Sequence, residues 1–395
     1  MGKKSDIGKE KLIFDILKAG LEKSSFPKVL EADWEFIEGE MNSQTVTALP
    51  AKAICESPIV PQKIKEQWKK IAYGHAVRWS QILYAQDELV NLMEQHQIPI
   101  VILKGIAAAM YYPMPEYRSM GDVDFLVWEK DYRKAFDLMK KNGYALAEPE
   151  DNQDYHYSLE KNGVVFELHR RLAKLPQDRG GKLLMECIHE GLSHREWHQV
   201  DEYQIPVLPW LPNGLVLLYH IRQHLTNGLG LRQIVDWMMY VEKELSDERY
   251  LYFQKVISKS GLENLAIHVT RLCQKYLGLR EEGITWCADA KEDLCEDLKE
   301  YILEQGNFGR KIKWEGKGAK AFSRGGIELL RWMQSQGRKH WKAVRKYPFL
   351  RHFAIFYELF RYIFYVLKKD KPIRSLLLDA KKGRRRKRMF KKLHT

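Results

Sequence analysis

Two short apolar runs, "IPIVILKG" ending at Gly105 and "GDVDFLVW" ending at Trp128, interrupt a chain otherwise patterned for helices. They constrain the fold more than any other feature. A run of four to six apolar residues bounded by glycine is the form of a strand buried on both faces, and such a strand needs paired neighbours and cover on each side. The second run carries Asp122 and Asp124, one residue apart. In a strand these share a face, with Cα atoms about 6.5–7 Å apart, while Val123, Phe125 and Val127 face the other way. Like charges held that close repel, so a positive group is needed between them, and a divalent metal ion is the simplest candidate.

The surrounding pattern divides the chain into four parts. Residues 1–96 carry helix-period apolar positions broken near Pro50, Pro58 and Pro61; the long amphipathic "QKIKEQWKKIAYGHAVRWSQILYAQDELVNLMEQH" follows. Residues 97–210 read as strand, short helix, strand, helix closed by Gly143, and a hairpin turning at Asn162-Gly163. Residues 211–336 return to helices and end in the Gly- and Lys-rich "NFGRKIKWEGKGAKAFSRGG", expected to be a loop. Residues 337–395 form a basic, aromatic helical region and tail. The expected fold is α+β, a small mixed sheet with flanking helices, preceded and followed by helical regions.

Charge is unevenly distributed. From Gly337 onward there are 20 Lys and Arg against three acids, a net of +17, so residues 1–336 carry 13 − 17 = −4. This tail reads as a removable charge run with an anionic partner, either a membrane surface or a nucleic acid. "FAIFYELFRYIFYVL", Phe353 to Leu367, is too short and too charged to span a bilayer. It suits either a core helix of the C-terminal region or a peripheral membrane anchor. The five cysteines form no CxxC pair, and the N-terminus has no apolar signal segment. Both point to a cytoplasmic protein, with attachment to the inner face of the membrane as the variant that the tail allows.

The hairpin strand "GVVFELHRRL" brings Glu167 within reach of the aspartate pair, because adjacent strands lie about 4.8 Å apart. Three convergent carboxylates beside a Lys104-Gly105 turn suit phosphoryl or nucleotidyl transfer, in which metal ions screen the phosphates and a glycine lets backbone amides approach them. Arg118 stands four residues before Asp122, placed in sequence to meet a phosphate oxygen. His169, two beyond Glu167, is either a partner of the cluster or an interior histidine. His220 and His224 share a helix face and are expected to serve packing or a substrate contact; His194 and His198 repeat the spacing.

"VILKGIAAAMYYPMPEYRSMGDVDFLV" followed by "VVFELHRRL" resembles the poorly characterised bacterial nucleotidyltransferase-like family of the polymerase-β nucleotidyltransferase superfamily. Its members read Leu-Lys-Gly after the first strand, Arg-x-x-Gly-Asp-x-Asp on the second and Glu-x-His on the third. The resemblance implies Asp122, Asp124 and Glu167 as metal ligands and catalytic carboxylates, with Glu167 also activating the acceptor hydroxyl. It implies Lys104, Gly105, Arg118 and Gly121 as the nucleotide-facing loop, Mg²⁺ or Mn²⁺ as cofactor and an NTP as substrate. "LLYHIRQHLTNGLGLRQIVDW" is similar to the helical region that follows the family's core. The wider superfamily carries Gly-Ser or Gly-Gly where this chain has Gly105-Ile106. The implied activity is transfer of a nucleoside monophosphate to an acceptor hydroxyl on a small molecule, glycan, protein or RNA, the last as in toxin-like relatives. A non-catalytic nucleotide-binding or regulatory protein on the same fold is the competing reading.

Overall fold

The computed structural model describes residues 2–28, 32–147, 156–172, 175, 178–225, 227–311, 326–341, 343–368 and 374–393. Most of the expected Gly- and Lys-rich loop, 312–325, lies outside them. Four helices, α1 (Gly2–Gly20), α2 (Trp34–Ser43), α3 (Ala51–Glu56) and α4 (Gln62–Gln95), precede the first strand. The central unit then runs β1 (Ile100–Leu103), α5 (Gly105–Ala109), β2 (Val123–Val127), α6 (Tyr132–Lys141), β3 (Ala145–Leu146), β4 (His156–Lys161), β5 (Val164–His169), α7 (Arg179–Ser193), β6 (Glu196–Val200) and β7 (Tyr203–Val207).

These strands form one seven-stranded mixed sheet in the order β3-β4-β5-β2-β1-β7-β6. β1 and β2 run antiparallel, while β2 pairs with β5 and β1 with β7 in parallel. The two short apolar runs are therefore adjacent central strands, as burial on both faces requires. Asn162 and Gly163, both at positive φ, close the β4–β5 hairpin. The β6–β7 hairpin is an element that the apolar pattern missed: Glu196, Trp197 and Gln199 are exposed, so the strand carries little hydrophobic signal.

Alternation along the central strands separates two cores. Ile100, Ile102, Val123, Phe125 and Val127 pack against α4 and α6. Val101, Leu103 and Leu126 face the other way, into the large helical core built from α1–α3 and the helices that follow the sheet. Asp122 and Asp124 share the parity of Leu126, so they look toward those later helices: α8 (Trp210–His224), α9 (Leu231–Glu244), α10 (Asp247–Ile257), α11 (Glu263–Leu277) and α12 (Glu292–Gln305). A carboxylate on a buried strand thus opens into the seam between sheet and helices.

One ion pair fastens that seam. Arg118, in the loop before β2, donates from Nε to Asp236 Oδ1 at 2.7 Å and from Nη2 to Oδ2 at 2.8 Å. Tyr112 Oη donates to the same Asp236 Oδ1 at 2.7 Å. Arg118 is only 3% exposed and Asp236 2%, so the pair is sealed from water. The guanidinium expected to meet a phosphate joins the loop to α9 and also lines the cleft described below.

The C-terminal region also departs from expectation. It comprises α13 (Gly326–His340), α14 (Ala343–Lys346), α15 (Ala354–Lys368) and α16 (Arg374–Leu393). The basic tail is a docked helix rather than a loose charge run. Met389 and Leu393 of α16 are buried in the helical core, and Arg385 Nε donates to Asp297 Oδ1 of α12 at 2.7 Å. Arg386 and Lys382 both reach Glu304, at 2.7 and 2.6 Å. The tail's charge is thus partly spent on acids of α12.

Two stability outcomes follow. Arg118→Leu should lower unfolding stability by about 3–5 kcal/mol, because it leaves Asp236 charged and buried; adding Asp236→Leu should restore part of the loss. Denaturant melts of the two single variants and the double variant measure this. Truncation before Lys381 should cost roughly 3–6 kcal/mol, the worth of burying Met389 and Leu393, and depress the melting temperature. An unchanged melt would show that α16 is not docked in solution.

Candidate functional site

The site begins at the turn between β1 and α5. Lys104 lies at φ 52°, ψ −134° and Gly105 at φ 36°. Gly105 suits such a backbone, whereas a lysine there is strained by about 1–3 kcal/mol, a cost typically met at functional positions. The strain aims the Lys104 ammonium across the strand pair, where Nζ lies 2.8 Å from Asp124 Oδ1. Ile106 faces the sheet core and is fully buried. Its place after the glycine is thus a packing position.

Register assembles the rest. Asp124 pairs with Leu103 on one side and with Glu167 on the other, so the two carboxylates stand side by side on neighbouring strands. His169 follows two residues along β5 on the same face, and His156 lies opposite it on β4. His169 Nε2 is 2.9 Å from Asp124 Oδ1 and 3.3 Å from Glu167 Oε2; His156 Nε2 is 3.8 Å from Glu167 Oε1. Asp122 precedes β2 and is exposed, whereas Asp124 is buried. Asp122, Asp124 and Glu167 each offer an oxygen within 4.8 Å of the others'. His156, Glu167 and His169 form a second group of the same compactness.

The electrostatics of the cluster are uneven. Burial works to raise the Asp124 pKa, but Lys104 and His169 outweigh it and hold this carboxyl well below its ordinary range. Asp122 is pushed up, first by the charge of Asp124 and then by burial. Lys104 is raised despite burial, through Asp124, Glu167 and Asp122. His169 is likewise raised against burial, through its hydrogen bonds to Asp124 and Glu167. The Lys104 ammonium and the His169 ring therefore both stabilise the Asp124 carboxylate. The all-oxygen donor set of the three carboxylates suits a hard cation such as Mg²⁺ or Mn²⁺.

Across the cleft, of about 360 Å³, stand side chains from α8, α9 and the turn after α12. Burial and the nearby Lys104 push the His224 pKa down to about 4, and burial holds His220 well below its ordinary value. The two rings are neutral partners, with Nε2 atoms 2.9 Å apart. Both line the cleft. Gly121 lies at the rim, and its carbonyl accepts from Arg78 Nη2 at 2.9 Å. His194 and His198 do not share a helix face: the first caps α7 and the second lies in β6.

Sequence reasoning missed two residues of this wall. Arg232, in the first turn of α9, lines the cleft with no carboxylate in ion-pair range among the described residues, and its Nε lacks a partner. Burial, then the charge of Arg118, lowers its pKa. A guanidinium opening the apolar run "LRQIVDW" was the available signal. Phe308 sits at the rim at φ 53°, ψ 23°, 59% exposed, its ring edge-on to His224 at 4.6 Å. Its neighbour Asn307 anchors the turn, accepting from Gln233 Nε2 at 2.8 Å and donating to Thr45 Oγ1 at 2.7 Å. No local pattern marks such a residue, because only the folded chain brings it to the cleft.

No curated protein matches the chain. Among solved structures, the solution structure of the antibiotic-resistance factor ANT(2'')-Ia is similar at 12% identity and a TM-score of 0.32, over 45% of this chain and 92% of that one. The model of a family described as "Uncharacterised nucleotidyltransferase" matches residues 31–278, well over half of the 395 residues and spanning every strand of the sheet. By that match, the chain belongs to the uncharacterised nucleotidyltransferase family.

Proposed function

We propose that the protein is a metal-dependent nucleotidyltransferase that moves a nucleoside monophosphate from an NTP to an acceptor hydroxyl. The observation that carries this reading is the convergence of Asp122, Asp124 and Glu167 within 4.8 Å in a cleft that Lys104 and Arg232 also line. In the proposed step, the acceptor oxygen bonds to the α-phosphorus as the bond from that phosphorus to the bridging oxygen breaks. Pyrophosphate leaves, and Glu167 takes the hydroxyl proton. Asp122, Asp124 and Glu167 would hold the divalent ion, whose charge screens the triphosphate and lowers the pKa of the attacking hydroxyl. Arg232, a guanidinium without an acid partner, faces the cleft as a phosphate contact. Lys104, which lines the cleft beside Asp124, would contact the triphosphate. Phe308 and the neutral His220–His224 pair form the wall against which the base or the acceptor lies.

A second reading has its own support. Lys104 and His169 already occupy Asp124 Oδ1, and Ile106 offers no hydroxyl to a phosphate. Both favour a protein that binds nucleotide without turning it over.

Three outcomes separate the readings. NTP affinity measured by calorimetry should collapse on addition of EDTA, since triphosphate and carboxylates repel without a cation between them; tight binding indifferent to EDTA would refute the metal bridge. Arg232→Gln should weaken NTP binding by about 10-fold or more, the worth of a charge-assisted hydrogen bond. Glu167→Gln should keep NTP affinity but cut transfer by roughly 10²-fold or more, whereas Asp122→Asn should lower both together. Wild-type behaviour of Glu167→Gln in both assays would favour the binding protein.

A further inference from the structure

We propose that the aromatic face formed by α15 and the turn before it docks on the surface of an anionic lipid bilayer. Phe356, Phe360 and Phe364 recur every four residues along α15 and are 55%, 69% and 67% exposed. Phe349 and Phe353, in the 3₁₀ turn of Pro348–Phe353, extend the exposed strip. Monomeric proteins rarely leave so many large apolar side chains together in water.

The opposite face of α15 is a built packing surface, so the exposed strip is a specific orientation of the helix. Ala354 is fully buried against α13, where a Cβ on Gly337 would stand 1.8 Å from the Ala354 carbonyl oxygen. Ile355 N–H donates to Gln334 Oε1 at 2.9 Å, and Trp341 stacks on Tyr357 at 5.1 Å. The helix's one acid, Glu358, is turned inward and 6% exposed, taken by Arg361 at 2.7 Å and His340 at 3.0 Å. The outward face of α15 therefore carries no carboxylate.

Charge identifies the occupant. Residues 326–368 hold nine Lys and Arg against two acids, 9 − 2 = +7. Two copies of so positive a segment repel one another, which disfavours self-association. An anionic headgroup layer attracts the cations while the acyl boundary accepts the phenylalanines, the arrangement of interfacial helices that lie along a membrane. A nucleic acid would satisfy the cations but leave the continuous apolar strip partly in water. No helix among the described residues is long and apolar enough to cross a membrane, so the contact is peripheral. This role belongs to α15 rather than to the tail helix, whose cations are partly engaged by α12.

The test is sedimentation of the full chain with vesicles of phosphatidylcholine alone or mixed with phosphatidylglycerol. Binding is expected to the mixed vesicles and to weaken with salt without vanishing, because the aromatic contribution is not screened. The triple variant Phe356→Ser, Phe360→Ser, Phe364→Ser should retain its circular dichroism melt and lose at least about 10-fold in vesicle partitioning. Arg338→Gln with Arg351→Gln should weaken binding to the mixed vesicles only. Absence of wild-type binding, or equal binding by the triple variant, overturns the proposal. So does light scattering that shows a dimer which the triple variant abolishes, or RNA binding lost with the same three rings while vesicles are ignored.

Discussion

Asp124 is a carboxylate on the central strand of a buried sheet, and the architecture around it answers the cost of keeping it charged there. An isolated ionised carboxylate in such a place is untenable. Lys104 reaches it only because the β1–α5 turn accepts a left-handed lysine, and His169 reaches it only because β5 pairs with β2 in parallel with Asp124 beside Glu167. The strained turn, the register and the histidine belong to one electrostatic solution. Lys104 and His169 offset the charge of Asp124, and Asp122 and Glu167 complete a cluster that keeps an excess of carboxylates.

The seam that holds this cluster is closed by a different device. Arg118 and Asp236 pair across it with almost no exposure, and Tyr112 completes the carboxylate's partners. The pair positions α9, and with it Arg232, against the loop that leads into β2. Both arginines line the cleft, but Arg118 is held by Asp236 while Arg232 has no carboxylate in ion-pair range among the described residues.

Much of this was legible in the sequence. The period change at Ile98 located the central strands, the Asn162-Gly163 turn fixed the hairpin, and strand parity placed Asp124, Glu167 and His169 on one face. Such inferences rest on local periodicity, which the structure obeys. Arg118 was legible as a charge near the site, but its partner lies 118 residues away, and no local rule announces a buried pair at that separation. Arg232 and Phe308 were missed for the same reason. The tail shows the converse: its charge pattern was plain, but Met389 and Leu393 are two apolar residues in a basic run, too sparse a stripe to mark docking. β6 escaped notice because its side chains are largely in solvent.

The turn that carries Phe308 is locked to the body by backbone and by Asn307, not by the phenyl ring. A Cβ at Gly228 would stand 2.1 Å from the Gly309 nitrogen, and one at Gly230 would stand 2.6 Å from Asn307 Cβ, so these glycines allow the close approach. The ring projects from this anchored frame into the cleft mouth and contributes little to holding it. The position therefore behaves as an interchangeable fitting: a larger, smaller or polar side chain alters what the mouth admits while the sheet, the carboxylates and the seam stay as they are. It also lies beyond residue 278, outside the stretch that defines the family.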